Sequence, residues 1–105
     1  FKKSVLPYAI LCILSQRKCY GYLLISILEE NLEIEIADGT VYMLLSRFEK
    51  LGYICSNWEM RDVGSPRKFY AITDSGQLCL DKISMIWNLT HVGLSNLNNN
   101  NYVQE

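Results

Sequence analysis

The sequence offers little from which to build a catalytic or metal site. It has one histidine, His91, and its four cysteines, Cys12, Cys19, Cys55 and Cys79, include no Cys-x-x-Cys pair. A zinc site lacks its ligands, and no nucleophile motif surrounds His91. Gly39 and Gly64 stand alone, so there is no glycine-rich loop to cradle a phosphate. No catalytic residue, metal or cofactor is expected, and His91 reads as a surface or pocket-edge histidine. No apolar run approaches the ~20 residues needed to cross a bilayer, and no signal peptide is visible. The first residue is Phe1 rather than methionine; the natural start is expected upstream, and a leader there stays open. Three of the cysteines lie in apolar surroundings and read as buried thiols. A reducing cytoplasm is the simplest setting, with a disulfide left open.

A basic excess is also missing. Ten Lys and Arg meet eleven Asp and Glu, for a formal net charge of −1. The acids are unevenly spread: Glu29, Glu30, Glu33, Glu35 and Asp38 share one ten-residue window that contains no cation. Binding to nucleic acid requires a local basic surface rather than a basic chain. The charge balance permits that function without arguing for it.

What the chain does have is apolar periodicity. With 105 residues, 50% hydrophobic and 20% charged, it is long enough for one folded domain with a modest core. The organising stretch runs from Asp38 to Gly52. Asp38 is an N-cap signal, and Gly52 suits the left-handed residue that ends a helix. Between them Val41, Leu44, Leu45, Phe48 and Leu51 recur at helical spacing. Thr40, Tyr42, Met43, Ser46, Arg47 and Lys50 take the other face. Hydroxyls and cations on the exposed face of a short helix suit a DNA groove; taken alone, the stretch also reads as an ordinary surface helix.

The flanking segments decide between these readings. Val5–Ser15 is apolar almost all round and needs cover on more than one side, with Pro7 fitting its first turn. Gln16–Cys19 reads as a polar connection. Leu23, Leu24, Ile27, Leu28 and Leu32 form a second helical stripe, and Ile34–Ala37 is a short link to Asp38. Two helices in this order, the second ending at Leu51, give a helix-turn-helix. After Gly52 the period changes to two: Tyr53–Glu59 and Arg67–Ile72 read as strands around the turn cluster Asp62–Pro66. Strands that follow a candidate recognition helix make a wing. Thr73 then caps a last helix running to about Leu97. Along it Leu80, Ile83, Trp87, Thr90, Leu94 and Leu97 form a coiled-coil-like seam, widened by Leu78, Met85, Ile86, Leu89 and Val92. A helix of ~35 Å outreaches so small a core, so part of the seam is expected to face another chain.

The ordered set Tyr20-Gly21-Tyr22, Gly39-Thr40-Val41-Tyr42, Leu44-Leu45, Arg47-Phe48-Glu49, Leu51-Gly52-Tyr53-Ile54, Trp58-Glu59, Arg67-Lys68-Phe69-Tyr70, Ile72-Thr73 and Gly76 resembles the PadR family of bacterial transcriptional regulators. The match covers about Leu6 to Trp87. Met43 departs from it, because the family usually has proline after the tyrosine, and the basic run of the wing is short. The resemblance implies a homodimeric winged-helix repressor that pairs through the last helix, with help from the first. It implies pseudo-palindromic operators near the protein's own gene and near transporter or detoxification genes. It also implies that small members with one C-terminal helix take planar aromatic compounds at the dimer interface, beside a tryptophan.

The fold expected is therefore α+β, mostly helical: a winged helix-turn-helix over 1–76, a C-terminal dimerisation helix over 77–97 in the same compact unit, and a disordered asparagine-rich tail over 98–105. DNA contact is assigned to Thr40, Tyr42, Ser46, Arg47 and Lys50 on the helix and to Arg67 and Lys68 on the wing. Arg47 is open between a guanine edge and a surface pair with Glu49 or Asp62. The dimer interface is assigned to Val5, Ile10, Leu80, Ile83, Trp87 and Leu94. An effector site is assigned to Trp87, with Thr90 and His91 at its rim and Tyr8 and Leu11 as walls; alternatively Trp87 only fills the interface. The partners expected are an operator duplex, a second copy and a small aromatic ligand, with no membrane. The rival function is a winged helix that binds another protein and no DNA.

Overall fold

The computed structural model describes residues 2–99 of the chain. A single 3-10 turn, Lys2–Val5, leads into helix α1, Leu6–Gln16. Pro7 sits in the first turn of α1, where its missing N–H would have no partner in any case. Leu6, Ile10, Leu11 and Leu14 are buried, and α1 packs against the second helix, the second wing strand and the last helix. Strand β1, Cys19–Tyr20, is followed at once by α2, Gly21–Leu32, which buries Leu24, Ile25 and Leu28. Glu33 ends α2 in the left-handed conformation, at φ 55°. Helix α3, Asp38–Lys50, buries Val41, Leu44, Leu45 and Phe48 of the stripe that its spacing predicts; Leu51, the last residue of that stripe, is the C-cap and is exposed.

Strands β2, Ile54–Glu59, and β3, Arg67–Ile72, form the wing. They pair antiparallel from Ile54 opposite Ile72 out to Glu59 opposite Arg67. The sheet has a third strand, in the order β1-β3-β2: Cys19 lies opposite Tyr70 and Tyr20 opposite Phe69. The sequence reads Gln16–Cys19 as connection. Two residues carry no period of their own, and β1 exists only because β3 supplies the partner edge.

Three boundaries follow from local chemistry. Ala37, not Asp38, occupies the N-cap of α3, with no side-chain cap; Asp38 lies in the first turn, where its charge still favours the helix dipole. Gly52 takes φ 79°, as the helix exit requires. Thr73 caps α4, Asp74–Asn98: its hydroxyl accepts from the Gly76 N–H at 3.0 Å and donates to the Gly52 carbonyl at 2.6 Å. Its N–H meets the Tyr53 carbonyl at 3.0 Å. Gly76 is required at this joint, since a Cβ there would run into the same Tyr53 carbonyl.

The first turns of α4 belong to the winged-helix core, through buried Gly76 and Leu80. Farther along, Met85, Ile86, Trp87, Leu89, Val92, Leu94 and Leu97 are exposed. The sequence assigns Ile10 and Leu80 to a partner-facing surface and Leu11 to a ligand wall. Here Ile10 is 0% exposed, Leu11 1% and Leu80 5%. The core face of α1 and the first turns of α4 are covered by their own neighbours, so these three side chains are spent inside the protomer. Residues 100–105 of the expected tail lie outside the described residues. No helix among the described residues is long and apolar enough to cross a membrane.

Two buried acids make the stability of this fold fall in alkali. Burial pushes the Cys19 thiol above its ordinary 9.0, with Arg17 opposing. Burial, then Glu49 and Tyr42, push the Tyr70 phenol above its ordinary 10.0. In the unfolded chain both groups lose their protons at lower pH, so in alkali the folded state binds more protons and stability falls as pH rises. Their contribution is fully present below the unfolded values and is lost from there upward. Urea midpoints at about pH 6, 7.5 and 10.5 should stay level between the first two and drop at the third, with a smaller drop for Cys19→Ala.

Candidate nucleic-acid interface

The outward face of α3 carries Tyr42, Met43, Ser46, Arg47 and Lys50, all exposed, with Thr40 half-buried in the first turn. This follows from the period of the helix: four buried apolar side chains on one side fix which residues face water. Met43, Ser46, Arg47 and Lys50 line a shallow depression of about 290 Å³. Arg47 makes no ion pair with Glu49 or Asp62; among the described residues the one ion pair is between Lys68 and Glu49.

The wing runs beside this face, near Tyr42 at one end and Glu49 at the other. Between them lies a cleft of about 300 Å³, lined by Tyr20, Gly21, Tyr22, Tyr42, Trp58, Arg67, Lys68 and Tyr70. Tyr42 comes against the backbone of Gly21, where a Cβ would meet its hydroxyl at 2.6 Å. The Tyr-Gly-Tyr and Gly-Thr-Val-Tyr motifs, nearly twenty residues apart, thus form one contact, and glycine is what allows it.

Both wing cations are held by neighbours. The Arg67 guanidinium lies 4.8 Å from the Tyr20 ring centre and 5.3 Å from that of Tyr22, and it donates to the Tyr22 hydroxyl at 3.0 Å. The Tyr20 ring in turn stacks on Phe69 at 4.0 Å. Lys68 Nζ is 3.5 Å from Glu49 Oε1, with the rings of Trp58 and Tyr70 at 5.9 and 5.4 Å. Such arrangements pre-orient a cation and leave it partly solvated. Sequence reasoning finds Arg67 and Lys68 but misses Tyr20, Tyr22, Glu49 and Trp58 around them. The period of two puts Trp58 on the same strand face as Ile54, yet Ile54 is buried and Trp58 two-thirds exposed, a difference that the sequence alone does not signal.

A second concavity lies on the opposite side, where α1, α2 and α4 meet. It measures about 450 Å³ and is lined by residues including Val5, Tyr8, Cys12, Ile13, Asn31 and Trp87. The Tyr8 and Trp87 rings stack at 6.2 Å, and the Tyr8 hydroxyl lies 3.3 Å from Ser84 Oγ. Tyr8 and Trp87, paired as ligand walls from the sequence, are brought together. Leu11 faces the core instead, and neither Thr90 nor His91 lines this groove. The Thr90 hydroxyl is turned back to the Ile86 carbonyl at 2.8 Å, and His91 is exposed.

Comparison with known proteins agrees with this geometry. The model of the transcriptional regulator PadR-like family matches residues 10–82. No curated protein matches the sequence. Among solved structures, a PadR-like transcriptional regulator from Bacillus cereus is 34% identical, with 90% of this chain and 92% of that one covered and a TM-score of 0.80. A PadR family transcription regulator from Clostridium difficile is 26% identical, covering 89% and 97%, at 0.82. Bacillus subtilis PadR, solved in complex with operator DNA, is 29% identical; the match takes in 74% of this chain and 45% of that one, at 0.67. By the family model and by its likeness to the Bacillus cereus protein, this chain belongs to the PadR-like family of transcriptional regulators.

Proposed function

We propose that the protein is a homodimeric DNA-binding repressor of the cytoplasm that reads its operator with α3 and the wing. One observation carries the reading: the outward face of α3 holds Tyr42, Ser46, Arg47 and Lys50, and the wing cations Arg67 and Lys68 stand beside it. The similarity to a regulator solved with operator DNA supports it. In this reading Thr40 and Tyr42 hold phosphates near the N-terminus of α3, where free N–H groups and the helix dipole favour anions. Arg47, free of ion pairs, reaches a guanine edge with its two-pronged donor. Lys50, Arg67 and Lys68 supply attraction that depends on salt and is indifferent to sequence.

The apolar side of α4 is assigned to the second copy, through half-buried Ile83 and exposed Trp87 and Leu94, with half-buried Val5 at the margin. Each such side chain contributes roughly 1.5–3 kcal/mol when fully removed from water. The groove beside Tyr8 and Trp87 is assigned to a planar aromatic effector, which would act by changing the spacing of the two α3 helices against half-sites ~34 Å apart. Thr90 and His91 would reach such a ligand only from the rim or from the second copy.

Three measurements check this reading. In a mobility-shift assay on the DNA upstream of its own gene, the protein should select one duplex over competitor DNA. Lys50→Ala and Arg67→Ala should each lower the slope of log affinity against log salt by about 0.9. No duplex preference at all would leave the protein-binding winged helix as the answer.

Sedimentation at micromolar concentration should give a dimer, and Leu94→Glu a monomer, because a charge on that seam would be desolvated without a partner. Leu94 lies far from the winged-helix core, so loss of folding does not confuse the result.

Titration with planar cationic dyes should quench Trp87 emission, and Trp87→Ala should weaken binding about tenfold or more, equivalent to ~1.4 kcal/mol of lost stacking and burial. Dyes that bind the variant as well as the parent would make Trp87 structural.

A further inference from the structure

Glu49 is an acid set among the cationic and aromatic side chains of the wing. It projects from the last turn of α3, with its side chain about one-third exposed. Oε2 accepts the Ser56 hydroxyl at 2.7 Å, and Oε1 faces Lys68 Nζ at 3.5 Å. Ser56 is on β2, Lys68 on β3. Ser56 lies opposite Tyr70, and Lys68 opposite Trp58, so all four occupy one face of the wing. One carboxylate therefore grips both strands. The position matters mechanically. Ile54 anchors the base of β2 in the core, and beyond it Cys55, Asn57, Trp58 and Glu59 are exposed. The grip of Glu49 spans the edge of the core: Tyr70, opposite Ser56, is buried, while Trp58, opposite Lys68, is exposed, and from there outward the hairpin has no core beneath it.

An acid beside DNA repels phosphates, and it cancels much of the charge of the lysine it holds. Placing one here weakens general attraction to DNA, so its contribution has to be geometric. We infer that Glu49 is a positioning residue for DNA reading: bonded to Ser56 and paired with Lys68, it fixes the wing against α3 and confines Lys68 to the phosphate that fits that angle. The inference rests on the DNA-binding reading above. Without the pair, Lys68 would be a long cation free to meet any phosphate within reach, and discrimination would give way to general affinity.

The test uses the full chain and Glu49→Gln, which keeps an oxygen for Ser56 and removes the charge that holds Lys68. Glu49→Gln should steepen the salt slope on non-operator duplex by about one unit, one more cation being free to meet phosphate. It should bind that duplex severalfold tighter at low salt and lower the ratio of operator to non-operator affinity. In a Lys68→Ala background the same substitution should change neither slope nor ratio, since coupled residues are non-additive and independent ones add. A general loss of folding would produce the opposite sign on non-operator DNA. A reading free of DNA accompanies it: with Trp87→Phe, the remaining Trp58 reports on Lys68, and Glu49→Gln should shift its emission. Unchanged slope, ratio and emission would overturn the inference. If the parent binds no duplex, the DNA reading itself fails, and Trp58 emission still decides whether Glu49 fixes the wing.

Discussion

The structure depends on the burial of one short helix. Leu6, Ile10, Leu11 and Leu14 of α1 are each at most 3% exposed, and α2, β3 and α4 all rest against that helix. Four aliphatic side chains of this size contribute roughly 1.5–3 kcal/mol apiece, a large share of the marginal stability of a small domain. Helix α3 and strand β3 bury Val41, Leu44, Leu45, Phe48 and Tyr70 in the same core and turn Ser46, Arg47 and Lys50 of α3 outward, so packing and proposed DNA contact divide by face rather than by element.

That division explains what was legible in the sequence. Most of the α3 stripe, the strands of the wing, Gly52 and the Thr73 cap are local patterns, each decided within a few residues, whereas the α2 stripe is met only in part: Ile25 is buried and Leu23, Ile27 and Leu32 are half-buried. The same patterns say that Ile10, Leu11 and Leu80 are apolar, but not which neighbour covers them. A helix apolar all round looks the same whether its cover comes from its own chain or from a partner. Here its own chain covers Leu6, Ile10, Leu11 and Leu14 and leaves Tyr8, Ala9, Cys12 and Ile13 half-exposed. Strand β1 and the aromatic cleft were not legible at all: they need Cys19 beside Tyr70 and Tyr42 beside Gly21, pairings across distant sequence that no local period encodes.

The net charge of −1 looked unfavourable for a regulator that binds DNA, and the structure relieves part of the difficulty. Glu29, Glu35 and their neighbours gather around the α2–α3 link, where Glu29 accepts the Ile36 N–H at 2.9 Å and so braces the approach to α3. The cations of the wing are few, but aromatic rings and one carboxylate fix their directions. A small number of oriented charges recognises a fixed array of phosphates more selectively than a larger mobile set, though with less total attraction.

The joint at Thr73 has a mechanical consequence. The hydroxyl and N–H of Thr73 tie the exit of α3 to the start of α4, and Gly76 sits against the Tyr53 carbonyl with no room for slack. Helix α4 is then a lever with its fulcrum at the base of the wing. Trp87 lies fourteen residues out, about 21 Å along the arm at 1.5 Å per residue. A sideways shift of about 1 Å at that indole amounts to a tilt of about 3° at the fulcrum, geometry following from the same rise per residue. With so stiff a pivot, that tilt is shared by the end of α3 instead of being absorbed in a loop.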